Sequence, residues 1–142
     1  MSALKIILLN EKCIPEKKNI EDCWDLKANI PKLISIGQLS AEKIQLGVCI
    51  EVPKGYQGFI RTRSGHRKAG LSVEGTVDPG YTGEVCALVI NHLNIPYHLQ
   101  PLERICQFVL VKVDDNNGEL EIVKEFPQSP RNDKGFGSSG LL

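Results

Sequence analysis

This sequence of 142 residues has no net charge, no long apolar run and few aromatic side chains. The 17 Lys and Arg balance 17 Asp and Glu, so no overall field favours nucleic acid or an acidic membrane as a partner. The run Ile6–Leu9 is too short for the core of a signal peptide and far too short to cross a bilayer. We therefore expect no nucleic-acid or membrane partner. We expect a location in the cytoplasm, or in the host cell or its nucleus if the protein is viral.

Metal-binding and disulfide patterns are also missing. The five cysteines are odd in number, none has CxxC spacing, and the three histidines lack the spacing of metal ligands. Cys49, Cys86 and Cys106 lie in apolar runs, where a reduced cysteine acts as a small hydrophobe. The length and the cysteine pattern together predict one domain in a reducing compartment, without zinc or a disulfide framework.

The apolar residues that are present follow a strand-like period. Between Ile44 and Val52 they alternate strictly, which predicts a half-buried strand. The run Val85–Ile90 is continuously apolar and predicts a strand buried on both faces. Gln107–Val113 is a third candidate strand, and Leu120–Val123 is a fourth.

Turn signals separate these runs at Pro53–Gly55, Asp78–Gly80, Asn91–Pro96 and Asp114–Gly118. Only Ser40–Lys43 and His66–Ala69 are helix candidates, and both are short. The sequence thus predicts an all-β sandwich or barrel with at most short helices.

The composition changes after residue 126, which divides the chain into a β domain, 1–126, and a C-terminal tail, 127–142. The tail contains prolines, polar residues and the pattern Gly135-Phe136-Gly137-Ser138-Ser139-Gly140. A GxGxxG pattern in a dinucleotide-binding fold needs a strand before it and a helix after it, and neither is predicted here. A flexible polar end and a flap that covers a ligand with glycine N–H groups and serine hydroxyls both remain open.

The basic window Arg61–Lys68 is the second candidate site. No acidic residue occurs between Val52 and Val73. Charge alone is more typical of a solvated face, and interleaved aromatics that would favour nucleic acid are missing. Arg63-Ser64-Gly65 after a strand does favour an anion site, because it combines forked donors, a hydroxyl and an approachable backbone.

The third candidate is Gly75–Val85, which contains Asp78-Pro79-Gly80-Tyr81. Taken alone, this segment is most simply a hairpin in which Asp78 begins a turn. Taken with the other two segments and in this order, however, it resembles the third conserved motif of the homotrimeric dUTPases. Asp25-Leu26, Arg63–Gly65, Glu103–Gln107 and Arg131–Gly140 are similar to that family's first, second, fourth and fifth motifs.

This resemblance implies a jelly-roll-like subunit in a homotrimer with shared active sites and a flexible tail. It also implies hydrolysis of dUTP to dUMP and pyrophosphate by water attack on the α-phosphate, assisted by Mg²⁺. That reaction would keep uracil out of DNA and supply dUMP for thymidylate synthesis.

The resemblance also assigns roles to residues. Asp78 would be the general base, Tyr81 would pack on the deoxyribose, and the backbone at Thr76 and Val77 would recognise uracil. The remaining implied contacts with substrate come from Cys86, from phosphate-binding Arg63, Ser64, Gly65 and Gln107, and from the tail residues Arg131, Phe136, Gly137 and Ser138. Asp25 would hold Mg²⁺ through water.

Two departures from the family pattern keep alternatives open. The first motif, Cys23–Leu26, and the segment Gly70–Asp78 are each one residue shorter than usual, and Asp-Pro-Gly-Tyr resembles the related dCTP deaminases. Leu88 occupies the position where those deaminases carry a proton-transferring glutamate, so deamination ranks below hydrolysis. The other alternative is a non-catalytic nucleotide-binding or regulatory protein on the same fold.

Overall fold

Short strands make up most of the chain in the computed structural model, which describes residues 3–114 and 118–142. Within these ranges there are ten strands and one short α-helix. The strands are β1 (Ile6–Leu8), β2 (Trp24–Lys27), β3 (Ile34–Ile36), β4 (Ala41–Gln45), β5 (Val48–Ile50), β6 (Tyr56–Thr62), β7 (Leu71–Val77), β8 (Cys86–Asn91), β9 (Tyr97–Leu99) and β10 (Arg104–Lys112). Helix α1 (Ser64–Lys68) joins β6 to β7, and a single 3₁₀ turn covers Glu11–Cys13.

The main sheet has six strands in the order β2-β10-β6-β7-β8-β4. Each neighbouring pair is antiparallel. Two further pairs, β1-β5 and β3-β9, form separate two-stranded sheets. The apolar faces enclose one core, which includes Leu26, Leu46, Val73 and Phe108. This is the all-β architecture that the sequence predicts.

The alternating run Ile44–Val52 was predicted as one strand, and that prediction was wrong. The structure divides it into β4 and β5 at Gly47, whose φ of 69° lies in the left-handed region. A Cβ at this position would lie 2.7 Å from the Cys13 sulfur. Glycine is therefore needed here both for its backbone angle and for its small size.

The structure corrects three other secondary-structure predictions. Ser40–Lys43 was predicted as a helix, but Ala41–Gln45 forms β4 because it pairs along its whole length with β8. Strand β8 is not buried on both faces, since Leu88 is 44% exposed. Leu120–Val123 is not a strand, because no strand of the described chain lies beside it to complete its backbone hydrogen bonds. In addition, part of the predicted turn Asp114–Gly118 falls outside the described residues.

Strand β10 and helix α1 overlap the segments predicted for them, although each begins two or three residues earlier than predicted. Among the described residues, no helix is long and apolar enough to span a bilayer.

Candidate active site

Three motif residues meet at the C-terminal end of β6. Gln107 on β10 pairs with Asp25 on β2 on one side and with Arg61 on β6 on the other. Directly paired residues of neighbouring strands project from the same face, and Arg63 lies two residues beyond Arg61. The sheet register therefore places Asp25, Gln107 and Arg63 together, although they are far apart in sequence.

Arg63 is fixed in place by two contacts. Its Nε donates to Asp25 Oδ1 at 3.1 Å, and its Nη1 donates to the carbonyl oxygen of Arg104 at 2.9 Å. Asp25 is buried, which makes this a shielded charge pair. The two bonds use two of the five guanidinium N–H groups, so the others can donate to an anion. Ser64 and Gly65 follow on the surface, and open space surrounds Gly65.

Behind this end of the sheet lies a polar cluster that sequence reasoning missed. His66 Nε2 and Glu103 Oε2 are 2.7 Å apart, and the Tyr97 hydroxyl donates to the same oxygen at 2.6 Å. The sequence indicated only that His66 lacks metal-ligand spacing, whereas the structure pairs it with the Glu103 carboxylate. Its ring also packs edge-on against Tyr97, with 6.3 Å between the ring centroids. Since Glu103 directly precedes Arg104, the cluster ties α1 to the start of β10, which also accepts a hydrogen bond from Arg63.

Burial would raise the pKa of Glu103, but the hydrogen bonds from Tyr97 and His66 outweigh it and hold that pKa below its ordinary value. A depressed carboxyl pKa contributes stability above the unfolded-state pKa and loses it as the pH falls through the folded-state pKa. We therefore expect Glu103→Gln to lower the melting temperature at pH 7, with the difference from the parent shrinking below about pH 4.5. Calorimetric melts of both proteins at pH 7 and below about pH 4.5 test this. A difference in melting temperature that is the same at the two pH values would contradict it.

The second cluster of motif residues lies at the opposite end of β6. Asp78 follows the last residue of β7 and begins a turn in which Tyr81 N–H donates to its carbonyl at 3.2 Å. Gly80 has a φ of 87°. The Tyr81 hydroxyl donates to the carbonyl of Glu84 at 2.8 Å, which fixes the ring while leaving it 46% exposed.

Strand β7 changes partners just before Asp78. Its ladder with β8 ends at the pair Glu74–Leu88, and Gly75, Thr76 and Val77 pair with β6 instead. Within the described chain, no ladder covers the other backbone edge of these three residues. Val77 turns its side chain into the core, and Thr76 is exposed. The hairpin can therefore offer main-chain N–H and C=O groups to a planar ligand edge.

Cys86 begins β8 close to this hairpin. Burial raises the pKa of its thiol, and the neutral S–H donates to Gln45 Oε1 at 3.2 Å. This geometry places Cys86 near the end of the hairpin, and its contact with substrate stays a prediction.

The two clusters are far apart in one chain. Gln57, near the start of β6, donates a hydrogen bond to Asp78, whereas Arg63 follows the end of the same strand. Arg63 lies six positions beyond Gln57, and six steps of extended chain span about 20 Å. One chain alone does not bring the predicted base and the predicted phosphate ligands together.

The tail forms turns that bond only to themselves among the described residues. Arg131 Nε donates to the carbonyl of Lys134 at 2.8 Å, and Ser138 N–H donates to that of Gly135 at 3.1 Å. Phe136 is fully exposed. In this conformation the predicted flap residues touch neither cluster.

Comparison with known proteins identifies a family along most of the chain. The dUTPase family model matches residues 11–140. The chain belongs to the dUTPase family. A deoxyuridine 5'-triphosphate nucleotidohydrolase of Fusobacterium nucleatum is 37% identical to this dUTPase over 120 residues, covering 82% of this chain and 81% of the relative. One from Finegoldia magna is 34% identical, covering 96% and 98%.

A solved structure shows the same fold. A G164S mutant of the Staphylococcus bacteriophage 80alpha dUTPase, determined with dUpNHpp, superposes with a TM-score of 0.83. It is 25% identical and covers 99% of this dUTPase and 100% of its own chain. The phage phi11 dUTPase of S. aureus, 21% identical with a TM-score of 0.75, is described with a structural Mg(II) ion.

Proposed function

We propose that this dUTPase hydrolyses dUTP to dUMP and pyrophosphate, with Asp78 as the general base. The observation that carries the proposal is the composition of the hairpin end. A surface carboxylate, a free backbone edge and an anchored tyrosine lie within a few residues of one another. An ionised carboxylate can accept the proton of an attacking water.

Uracil recognition is assigned to the backbone of Thr76 and Val77. A uracil edge presents both acceptors and a donor, and the main-chain groups of one strand edge can pair with both kinds. Tyr81, held by Glu84, packs on the deoxyribose and leaves no room for a 2′-hydroxyl. A site without that space rejects ribonucleotides by steric clash.

Phosphate binding is assigned to Arg63, Ser64, Gly65 and Gln107 at the other end of β6. The Asp25 carboxylate holds Arg63 in one orientation, so its remaining N–H groups are aimed before the substrate arrives. Preorganised donors of this kind stabilise charge on a transferring phosphoryl group without further reorganisation.

The residues present fit a magnesium ion that the substrate helps to hold. Among the described residues, no group of three His, Cys, Asp or Glu could form a cage made only of protein ligands. Mg²⁺ commonly keeps several waters and uses one or two carboxylates together with substrate phosphates. Asp25 is the carboxylate beside the phosphate ligands, and it would hold the ion through water. When bound, Mg²⁺ would neutralise charge on the triphosphate and so admit the attacking water.

The separation of the two clusters supports a homotrimer with shared active sites. Phosphate ligands must lie within hydrogen-bonding distance of the phosphates, and the base must reach a water at the α-phosphate. The roughly 20 Å that one extended strand imposes between them is too long for this. We infer that Asp78 of one subunit faces Arg63 of another, and that residues 127–142 form a flap that closes over the nucleotide.

Mixing two inactive variants tests this sharing. Asp78→Asn and Arg63→Ala each remove one half of every site in a homotrimer. Co-refolded at equal amounts, they should regain about a quarter of the parental activity, because random assembly pairs an intact Asp78 with an intact Arg63 at that frequency. Mixing without refolding is the control. A refolded mixture as inactive as its components would contradict the shared site.

A product assay tests the reaction itself. The purified protein with Mg²⁺ is offered dUTP, UTP, dTTP and dCTP separately, and pyrophosphate and ammonia are followed. We expect pyrophosphate from dUTP alone. Ammonia from dCTP would establish the deaminase instead. Against that outcome, the glutamate position is occupied by Leu88, which is exposed and has no group that can transfer a proton. Binding without any product would establish a non-catalytic binding protein.

A further inference from the structure

Gln57 contacts Asp78, and no motif includes it. Its side-chain Nε2 donates to Asp78 Oδ1. The β6-β7 ladder pairs Gly58 with Val77, so Gln57 and Asp78 stand opposite each other one step further on. Directly opposite side chains project from the same face of a sheet. The contact therefore follows from the strand register, and not from a chance orientation of two surface side chains.

The two partners differ in how firmly the backbone holds them. Gln57 lies between β10 and β7, where its backbone pairs with Val111. The adjacent Gly58 packs so closely that a Cβ there would lie 2.6 Å from the Phe108 ring. Asp78 begins an exposed turn. The hydrogen bond thus fastens a side chain on a turn to a rigid strand.

We propose that Gln57 is a positioning residue for the general base. This inference rests on the proposed role of Asp78. The amide of Gln57 is neutral and does not titrate, so it donates to Oδ1 without competing for the proton. With Oδ1 occupied, Oδ2 remains to accept the proton from water. Loss of this orientation slows the chemical step, since small displacements of a catalytic group cost up to about 10²-fold.

Gln57→Glu is the sharpest test, because it keeps the size and removes the N–H donor. We expect kcat for dUTP to fall about tenfold or more, with KM unchanged within about twofold. Gln57→Ala should show a smaller loss of kcat and the same KM. Gln38→Glu makes the same change on an exposed turn between β3 and β4, and it should keep parental kcat.

Asp78→Asn and the double variant Asp78→Asn, Gln57→Glu are measured in parallel. If Gln57 acts through Asp78, the double variant loses no more than Asp78→Asn alone. Full kcat in Gln57→Glu beside an inactive Asp78→Asn would overturn this inference and leave the proposed function intact. A raised KM with parental kcat would overturn it too, by making Gln57 a substrate ligand. An active Asp78→Asn would remove the proposed base itself.

Discussion

Asp78→Asn is expected to hydrolyse dUTP about 10²–10⁴-fold more slowly than the parent, the usual contribution of a general base. Asparagine keeps the size of the side chain but cannot accept a proton from water. Asp78 lies on an exposed turn, so the change leaves no buried group without a partner. The loss should fall on kcat, with nucleotide affinity retained.

Initial rates of pyrophosphate release give kcat, and titration with the analogue dUpNHpp gives affinity. Asp22→Asn, which removes one charge from an exposed loop, is the matched control and should keep parental kcat. Parental kcat in Asp78→Asn would assign the base to another residue. Weak dUpNHpp binding with little change in kcat would instead make Asp78 a substrate ligand.

The order of the motifs along the chain predicts a set of site residues, but not where those residues lie in the fold. Asp25, Arg63 and Gln107 come together because β10 pairs with β2 and β6. Such pairing depends on the packing of the whole core, and local sequence carries little of it. For the same reason the two motifs did not reveal that Asp78, beside Gln57, lies about 20 Å of extended strand away from Arg63.

The residues that sequence reasoning missed act through long-range contacts. Gln57 contacts Asp78 across 21 positions, and His66 pairs with Glu103 across 37. A lone glutamine in a strand has no signature, and a histidine without metal spacing does not indicate a particular partner. One signal was available: Gln57 precedes a glycine inside an apolar strand, and such a glycine often marks close packing.

Local rules located strands β8 and β10 and failed where they judged short segments in isolation. Gly47 looked like an ordinary outward position in an alternating run, although its backbone angle ends the strand. Ser40–Lys43 has helix-forming residues, but pairing with β8 outweighs that weak propensity. In Leu120–Val123 the pattern is typical of a strand, yet in the described chain no neighbouring strand pairs with it.

Deletion of residues 130–142 is expected to abolish dUTP turnover while the β domain stays folded. Within the described chain the tail makes hydrogen bonds only to itself, so its removal takes nothing from the core. Phe136 is fully exposed without ligand, and stacking on uracil would bury it. Closure of such a flap expels bulk water and holds one water in line for attack.

Turnover, the melting temperature and the mass of the assembly in solution are measured together. Removal of Leu141 and Leu142 alone is the matched control, since it spares Arg131, Phe136 and the serines and should keep parental turnover. The turnover of Phe136→Ala should lie between that of the long deletion and that of the control, because this change removes the proposed stacking face and keeps the proposed phosphate-binding donors. A fully active chain ending at residue 129 would mean that the two clusters at the ends of β6 suffice for catalysis once subunits assemble.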